Sequence, residues 1–179
     1  MFFVRGAEVV PCPCCQGALV VIGSRSRTWI RSSGEKAKLI IRRLRCQNCR
    51  RIHHELPDLL VPYRRYESAS MEHAIEDSAA TDVAADESTL YRWRQWFVDW
   101  VTYAAGCLGS IARRFQGSVL DLSSPTHSAL QRIGQFVGNA PGWLARVVRP
   151  IANLHLWIHT RSAFLSRRLG FTFISNPME

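Results

Sequence analysis

The chain has 179 residues, 47% of them hydrophobic and 21% charged, with a formal net charge of +9. That length holds one ordinary domain or two to three small ones, and the composition excludes a disordered or collagen-like chain. Asp99, Arg146 and Arg149 interrupt the best apolar stretches, so none reaches the run of about 18 residues that a membrane span needs.

The first five residues, Met1-Phe2-Phe3-Val4-Arg5, lack the apolar core and cleavage site of a signal peptide. Two Cys-x-x-Cys steps then dominate the N-terminal third: Cys12 with Cys15, and Cys46 with Cys49. Each step folds as a tight knuckle that aims two sulfurs at one point, and two knuckles close a tetrahedral four-thiolate shell around Zn2+. The intervening segment, Gln16 to Arg45, carries Leu19-Val20-Val21-Ile22, a Gly23-Ser24 break, Thr28-Trp29-Ile30, a Ser32-Ser33-Gly34-Glu35 turn and Lys38-Leu39-Ile40-Ile41-Arg42-Arg43. A β-hairpin between two cysteine knuckles is the layout of a zinc ribbon, in which the metal staples a fold too small for its own core. Cys14 is a third thiol for two places and is expected to point away from the metal. A redox dithiol is the rival reading, but neither pair opens a helix in a βαβ setting. Thiols at metal spacing without a secretion signal point to a reducing cytoplasm.

After the second knuckle, Ile52-His53-His54-Glu55-Leu56-Pro57 reads as a short strand completing the ribbon sheet, not as a source of histidine ligands. Pro57 and Pro62 make its exit stiff and extended. Residues 1–66 are therefore assigned to the ribbon, 67–104 to a helix-turn-helix-like unit and 105–179 to a C-terminal helical region, so the fold class is a small β zinc ribbon followed by mainly α structure.

In the second unit, Ser70 to Ala80 is a short helical stretch, with Met71, Ala74 and Ile75 on one side, and a turn follows near Thr81-Asp82. Asp86 to Ser88 is a cap zone with acids at the positive end of the next helix dipole. Leu90, Trp93 and Phe97 form an inward stripe, which leaves Ser88, Thr89, Arg92 and Gln95 as candidate base-reading residues of a recognition helix. The alternative is a plain bundle helix. Val98 to Phe115 reads as helix, either continuous with that one or broken near Gly106–Gly109. Ser128 to Val137 is a further helix, and Trp143 to Arg149 another, which Pro150 must kink or end. Ile151 to Arg168 is expected to be the last. His155 and His159 stand one turn apart within it, but Leu156 occupies the place where a metalloprotease helix needs glutamate. Cys107, alone in an apolar run, reads as a buried small hydrophobe.

Charge is distributed unevenly along this map. Residues 1–66 carry 13 basic and 4 acidic side chains, residues 67–90 carry 7 acidic and no basic ones, and residues 91–179 carry 10 basic and 3 acidic. Arginine supplies 21 of the 23 cations, and its planar fork suits phosphate and guanine contacts. Arg25, Arg27, Arg42, Arg43 and Arg45 on the hairpin are the candidate phosphate contacts.

Cys12-Pro13-Cys14-Cys15, Arg42-Arg43-Leu44-Arg45-Cys46-Gln47-Asn48-Cys49, Ile52-His53-His54-Glu55-Leu56-Pro57 and Pro62-Tyr63 resemble a family of uncharacterised bacterial proteins. That family joins a zinc ribbon to a helix-turn-helix. Glu87-Ser88-Thr89-Leu90-Tyr91-Arg92-Trp93 looks like the matching helix, and is also similar to recognition helices of transposases and their accessory proteins. Asn153 to Leu165 fits the same pattern. The resemblance implies a DNA-binding protein associated with mobile elements, and implies no reaction. Outside the acidic segment 67–87, only Asp99, Asp121 and Glu179 follow Tyr66 as carboxylates, and there is no phosphate-cradling glycine loop or nucleophile elbow. An enzyme is not expected.

The sequence thus points to a zinc-dependent protein that binds double-stranded DNA, a transcriptional or transposition accessory factor, possible as a homodimer and as a partner of a transposase or recombinase. The alternative is a zinc-stabilised interaction module whose tryptophans dock a recombinase or another subunit. RNA binding through the ribbon and a peripheral membrane role for the helices from Trp143 onward rank below these.

Overall fold

The computed structural model describes residues 1–6, 9–77, 82–116 and 128–157, together with the backbone of two short strands at 163–166 and 174–175. The order is β1 (Phe2–Phe3), β2 (Leu19–Ile30), β3 (Lys36–Cys46), β4 (Ile52–Pro57), α1 (Ser68–Glu76), α2 (Glu87–Gln116), α3 (Ala129–Val137), α4 (Trp143–Asn153), β5 (Ala163–Ser166) and β6 (Ile174–Ser175). A small β-sheet is thus followed by four helices.

The long hairpin β2–β3 is the scaffold. Antiparallel pairing runs from Leu19↔Cys46 to Ile30↔Lys36, so both ends of the ladder are fixed. The expected break at Gly23-Ser24 is not a gap between strands. The register shifts there between Val21 and Gly23, and the strand continues through a bulge in which Gly23 takes φ 147°, a conformation that a side chain disfavours. At the tip, Gly34 adopts φ 83° as its N–H donates to the Arg31 carbonyl. The other edge of β3 is shared. Its second half pairs with β4 through Arg43↔His54 and Leu44↔His53, and its first half pairs in parallel with β1.

One face of this sheet packs on the helices. Trp29, Leu39, Ile41 and Leu56 join Leu90, Trp93, Phe97, Val101, Leu144, Val147 and Ile151 in a single buried cluster. Leu90, Trp93 and Phe97 form the inward stripe expected of them. α2 is one uninterrupted helix of 30 residues, which resolves the open question at Gly106–Gly109. Residues 77–86 separate α1 from α2, whereas a helix-turn-helix joins its helices through a turn of about 3–4 residues.

α1 and α4 are locked by charge as well as packing. Buried Glu72 accepts hydrogen bonds from the N–H groups of Gly142 and Leu144, both at 2.8 Å. Its carboxylate thus closes the start of α4, where the helix dipole favours an anion. α3 opens on a capping box between Ser128 and Gln131.

The C-terminal segment departs from expectation. The helix read over Ile151–Arg168 does not form in that register. α4 runs through Pro150 and stops at Asn153, and residues 163–166 form β5, parallel to β4. Proline removes one helical N–H, and His155 at φ 59° turns the chain out of the helix. The open edge of β4 then supplies the backbone partners of residues 163–166. His159 lies outside the described residues. Among the described residues no helix is long and apolar enough to cross a membrane.

Candidate functional site

Two features converge on the ribbon: a thiol cluster at one end of the hairpin and a basic cleft along it. The first knuckle is tied by Gln16 N–H to the Cys12 carbonyl at 2.8 Å and by Cys12 N–H to the Gly17 carbonyl at 2.9 Å. The second repeats the pattern with Cys46 N–H to the Arg51 carbonyl at 2.9 Å. Gln16 (φ 61°) and Arg50 (φ 63°), each directly after a knuckle, occupy the left-handed region where glycine would be unstrained. A side chain at Gly17 would force Asn48 to move, since a Cβ there would meet the Asn48 amide at 2.7 Å.

Cys12 Sγ and Cys49 Sγ stand 3.6 Å apart, and Cys15 Sγ and Cys46 Sγ 3.5 Å. All four sulfurs lie within 4.8 Å of one another. A tetrahedral shell with metal–sulfur bonds of about 2.3 Å has sulfur–sulfur edges of about 3.8 Å, so the cluster is the right size to hold a metal ion. None of these cysteines is in a disulfide, and the contacts of 3.5 and 3.6 Å run across the knuckles. The set could hold a metal ion. The sulfurs are not equivalent. Burial works to raise the Cys46 pKa, but the N–H groups of Cys49 and Asn48 and contacts with neighbouring thiols pull it down to about 6. Burial pushes Cys12 up to about 12.

Sequence reasoning missed one neighbour. His53, fully buried on β4, places Nε2 3.3 Å from Cys12 Sγ. An imidazole in that position orients a ligand sulfur and tempers its charge. The residue was legible as a strand position, but its role depended on the β3–β4 register that sets it beside the first knuckle. Cys14 is outside the four-sulfur set, as a spare thiol should be, but it stays close to it. Its sulfur lies within 4.8 Å of the Cys12 sulfur and a His53 ring nitrogen, and it accepts a hydrogen bond from Arg51 Nη1 at 3.3 Å.

The candidate phosphate contacts divide into two groups. Arg42 is committed to the fold: its Nη2 donates to Glu55 Oε1 at 2.8 Å and its Nε to Oε2. That bidentate pair raises the Arg42 pKa, against a smaller effect of burial. Arg25 and Arg27 instead line a cleft of about 740 Å3 with Lys36, Arg65, His54 and Tyr63, and among the described residues no carboxylate lines it. Arg43 stands opposite His54 in the register. Burial first, then the charges of Arg25, Arg43 and Arg27, drive the His54 pKa down, and burial with Arg25 and Arg65 lowers that of Arg27. Among the described residues, the cleft thus gathers positive charge. Arg45 is exposed near the thiol end, opposite Ile52. A larger cavity of about 820 Å3 lies between α1 and α4, but Asp58, Glu67 and Glu72 line it beside Arg146 and Arg149, so it carries no comparable field.

At the start of α2, Ser88 and Thr89 are the donors to the capping residue Asp86. Asp86 accepts from the Ser88 hydroxyl at 2.6 Å, the Thr89 N–H at 2.8 Å and the Thr89 hydroxyl at 3.0 Å. Thr89 is only 8% exposed. Arg92 donates to Thr89 Oγ1 at 2.9 Å and Gln95 donates to Asp99 Oδ1 at 2.9 Å, both from the exposed side of the helix. Arg64 bridges cleft and helix: its guanidinium lies 4.9 Å over the Trp96 ring, and burial together with Arg92 lowers its pKa.

Fold and site together define a four-cysteine cluster compatible with a zinc ribbon, joined to a helical unit. A family described as a domain of unknown function (DUF6431) matches residues 12–93, from the first cluster cysteine to the first turns of α2. No curated protein and no solved structure matches the chain.

Proposed function

We propose that the protein is a zinc-stapled nucleic-acid-binding protein that holds double-stranded DNA through the arginine face of its ribbon. The carrying observation is the cleft lined by Arg25, Arg27, Lys36 and Arg65, where cations gather without a lining carboxylate among the described residues. Such a field attracts a polyanion and releases its counterions on contact. Zinc is the proposed ion, because four thiolates in a closed tetrahedral set suit it. It would hold the two knuckles together and so keep the hairpin's arginines in register. It supplies no reaction.

Positive charge continues from the cleft through Arg64 to Arg92. A duplex lying along the ribbon would meet the first turns of α2 by this route. There Arg92 and Gln95 are the candidate base contacts, and Ser88 and Thr89 shape the cap beneath them. A role beside a transposase or recombinase is a finer proposal that rests on the sequence resemblance.

Selection of a random duplex library on zinc-loaded protein tests the reading. Duplex is expected to be retained at near-physiological salt, and an enriched motif would show that bases are read. Replacing Arg25 and Arg65 together with alanine is expected to lower retention at least about 10-fold. No retention of duplex at low salt would overturn the proposal.

A further inference from the structure

Beside the basic cleft lies a second cavity of about 480 Å3, lined by Pro62, Tyr63, Arg64, Trp96, Asp99, Trp100, Tyr103 and Trp157. Its aromatic wall is continuous. Trp96 and Trp100 stack at 5.0 Å with 16° between their planes, and Trp100 meets Trp157 at 5.3 Å. A volume of this order accommodates a planar heterocycle. The two cavities share Pro62 and Tyr63, so the cationic track leads directly into the aromatic chamber.

Tyr63 marks the junction in an unusual way. The Arg64 N–H donates to the Val61 carbonyl at 3.0 Å, closing a turn with Pro62 and Tyr63 at its centre. Pro62 must hold negative φ and Tyr63 has φ 64°, which makes this a type II turn, whose third position favours glycine. An aromatic residue there is strained. The residue is 62% exposed at the rim. Strain retained at a cavity rim is what a ligand-facing position shows.

Resting on the nucleic-acid reading above, we infer that this track binds a single strand: phosphates occupy the basic cleft, Tyr63 stacks at the rim and an unpaired base enters the aromatic chamber. A charged groove beside aromatic platforms is how single strands are held without a partner strand. Asp99 sets a preference. It lines the chamber, and one of its carboxylate oxygens accepts from Gln95 Nε2 at 2.9 Å. The second oxygen can accept from the amino group of cytosine, adenine or guanine, whereas the thymine edge offers one ring N–H. The track therefore favours strands bearing amino bases such as cytosine over oligothymidine.

The test is fluorescence anisotropy on zinc-loaded full-length protein with labelled 12-nucleotide strands. A cytosine-rich strand, oligothymidine, an abasic strand with the same phosphates and a duplex are compared at one salt concentration. The cytosine strand is expected to bind at least about 10-fold tighter than the abasic one, with oligothymidine between them. Tyr63→Gly is expected to raise the melting temperature, by relieving the turn, while it narrows that ratio. Trp96→Ala, at a half-buried position, is expected to narrow it further, and Asp99→Asn to remove the preference for cytosine. Equal affinity for cytosine and abasic strands overturns the inference, as does a ratio that neither Tyr63→Gly nor Trp96→Ala changes. So does cytidine monophosphate binding as tightly as the strand. If duplex binds while the ratio is one, this inference alone fails; if neither strand nor duplex binds, the nucleic-acid reading fails with it.

Discussion

Cys14 and Cys15 are neighbours with different places in the cluster. Cys15 belongs to the four-sulfur set, while Cys14 lies near Cys12 and His53 and takes a hydrogen bond from Arg51. Cys14→Ser is therefore expected to retain one metal per chain, and Cys15→Ser to lose it, as read by metal analysis of purified protein. The opposite pattern would assign Cys14 to the shell. A second residue-scale prediction concerns Arg42, whose partner carboxylate on Glu55 is 1% exposed while its own side chain is 29% exposed. Arg42→Ala leaves a buried carboxylate without its cation and is expected to cost about 3 kcal/mol in denaturant unfolding. A loss within about 0.5 kcal/mol would make Arg42 a surface residue available to phosphate. The cysteines were legible because ligand spacing is local. The Arg42–Glu55 pair was not, because it is made across the β3–β4 register, and neither was the seat of His53 beside Cys12.

Elements tell a similar story. Asp86 caps α2 with three hydrogen bonds from Ser88 and Thr89, which hold its pKa at about 2, below the ordinary 3.8. The folded state thus binds this proton less readily than the unfolded chain does. The cap's contribution is complete above pH 3.8 and is lost as pH falls through about 2. Asp86→Asn is expected to flatten the acid limb of the unfolding curve in that window, and an unchanged limb would assign it to other carboxylates. The Leu90–Trp93–Phe97 stripe was readable from helical periodicity. Thr89 was not, since a small polar residue at a helix start serves equally as a cap or as a reader of bases. Gly23 looked like a strand break because composition alone does not separate a bulge from a loop. The last helix was misread for a comparable reason: Ala163–Ser166 forms a strand only through parallel pairing with β4, a partner more than a hundred residues earlier in the chain.

At the scale of the molecule, the sheet whose hairpin ends at the thiol cluster shares one buried cluster with the helices. If the cluster holds zinc as proposed, losing it would release the two knuckles. Because structural zinc contributes on the order of 10–16 kcal/mol of binding free energy in small domains, the loss is expected to be felt at the basic cleft. The charge map of the sequence had already separated two cationic blocks from an acidic joint. It could not show that Arg25, Arg27 and Arg65 share one cleft while Arg42 is withdrawn from it, because that partition depends on which face of each strand is outward.

The most direct measurement is the salt dependence of duplex affinity, for zinc-loaded protein and for the same protein stripped by a chelator. If Arg25, Arg27, Arg65 and Lys36 each neutralise a phosphate, the slope of log K against log salt is expected near −3.6, at about −0.9 per contact. Arg25→Ala should reduce its magnitude by about one contact, and stripping the metal should flatten it further. A slope near zero, or one that neither Arg25→Ala nor metal removal changes, would contradict the assignment of this cleft to nucleic acid.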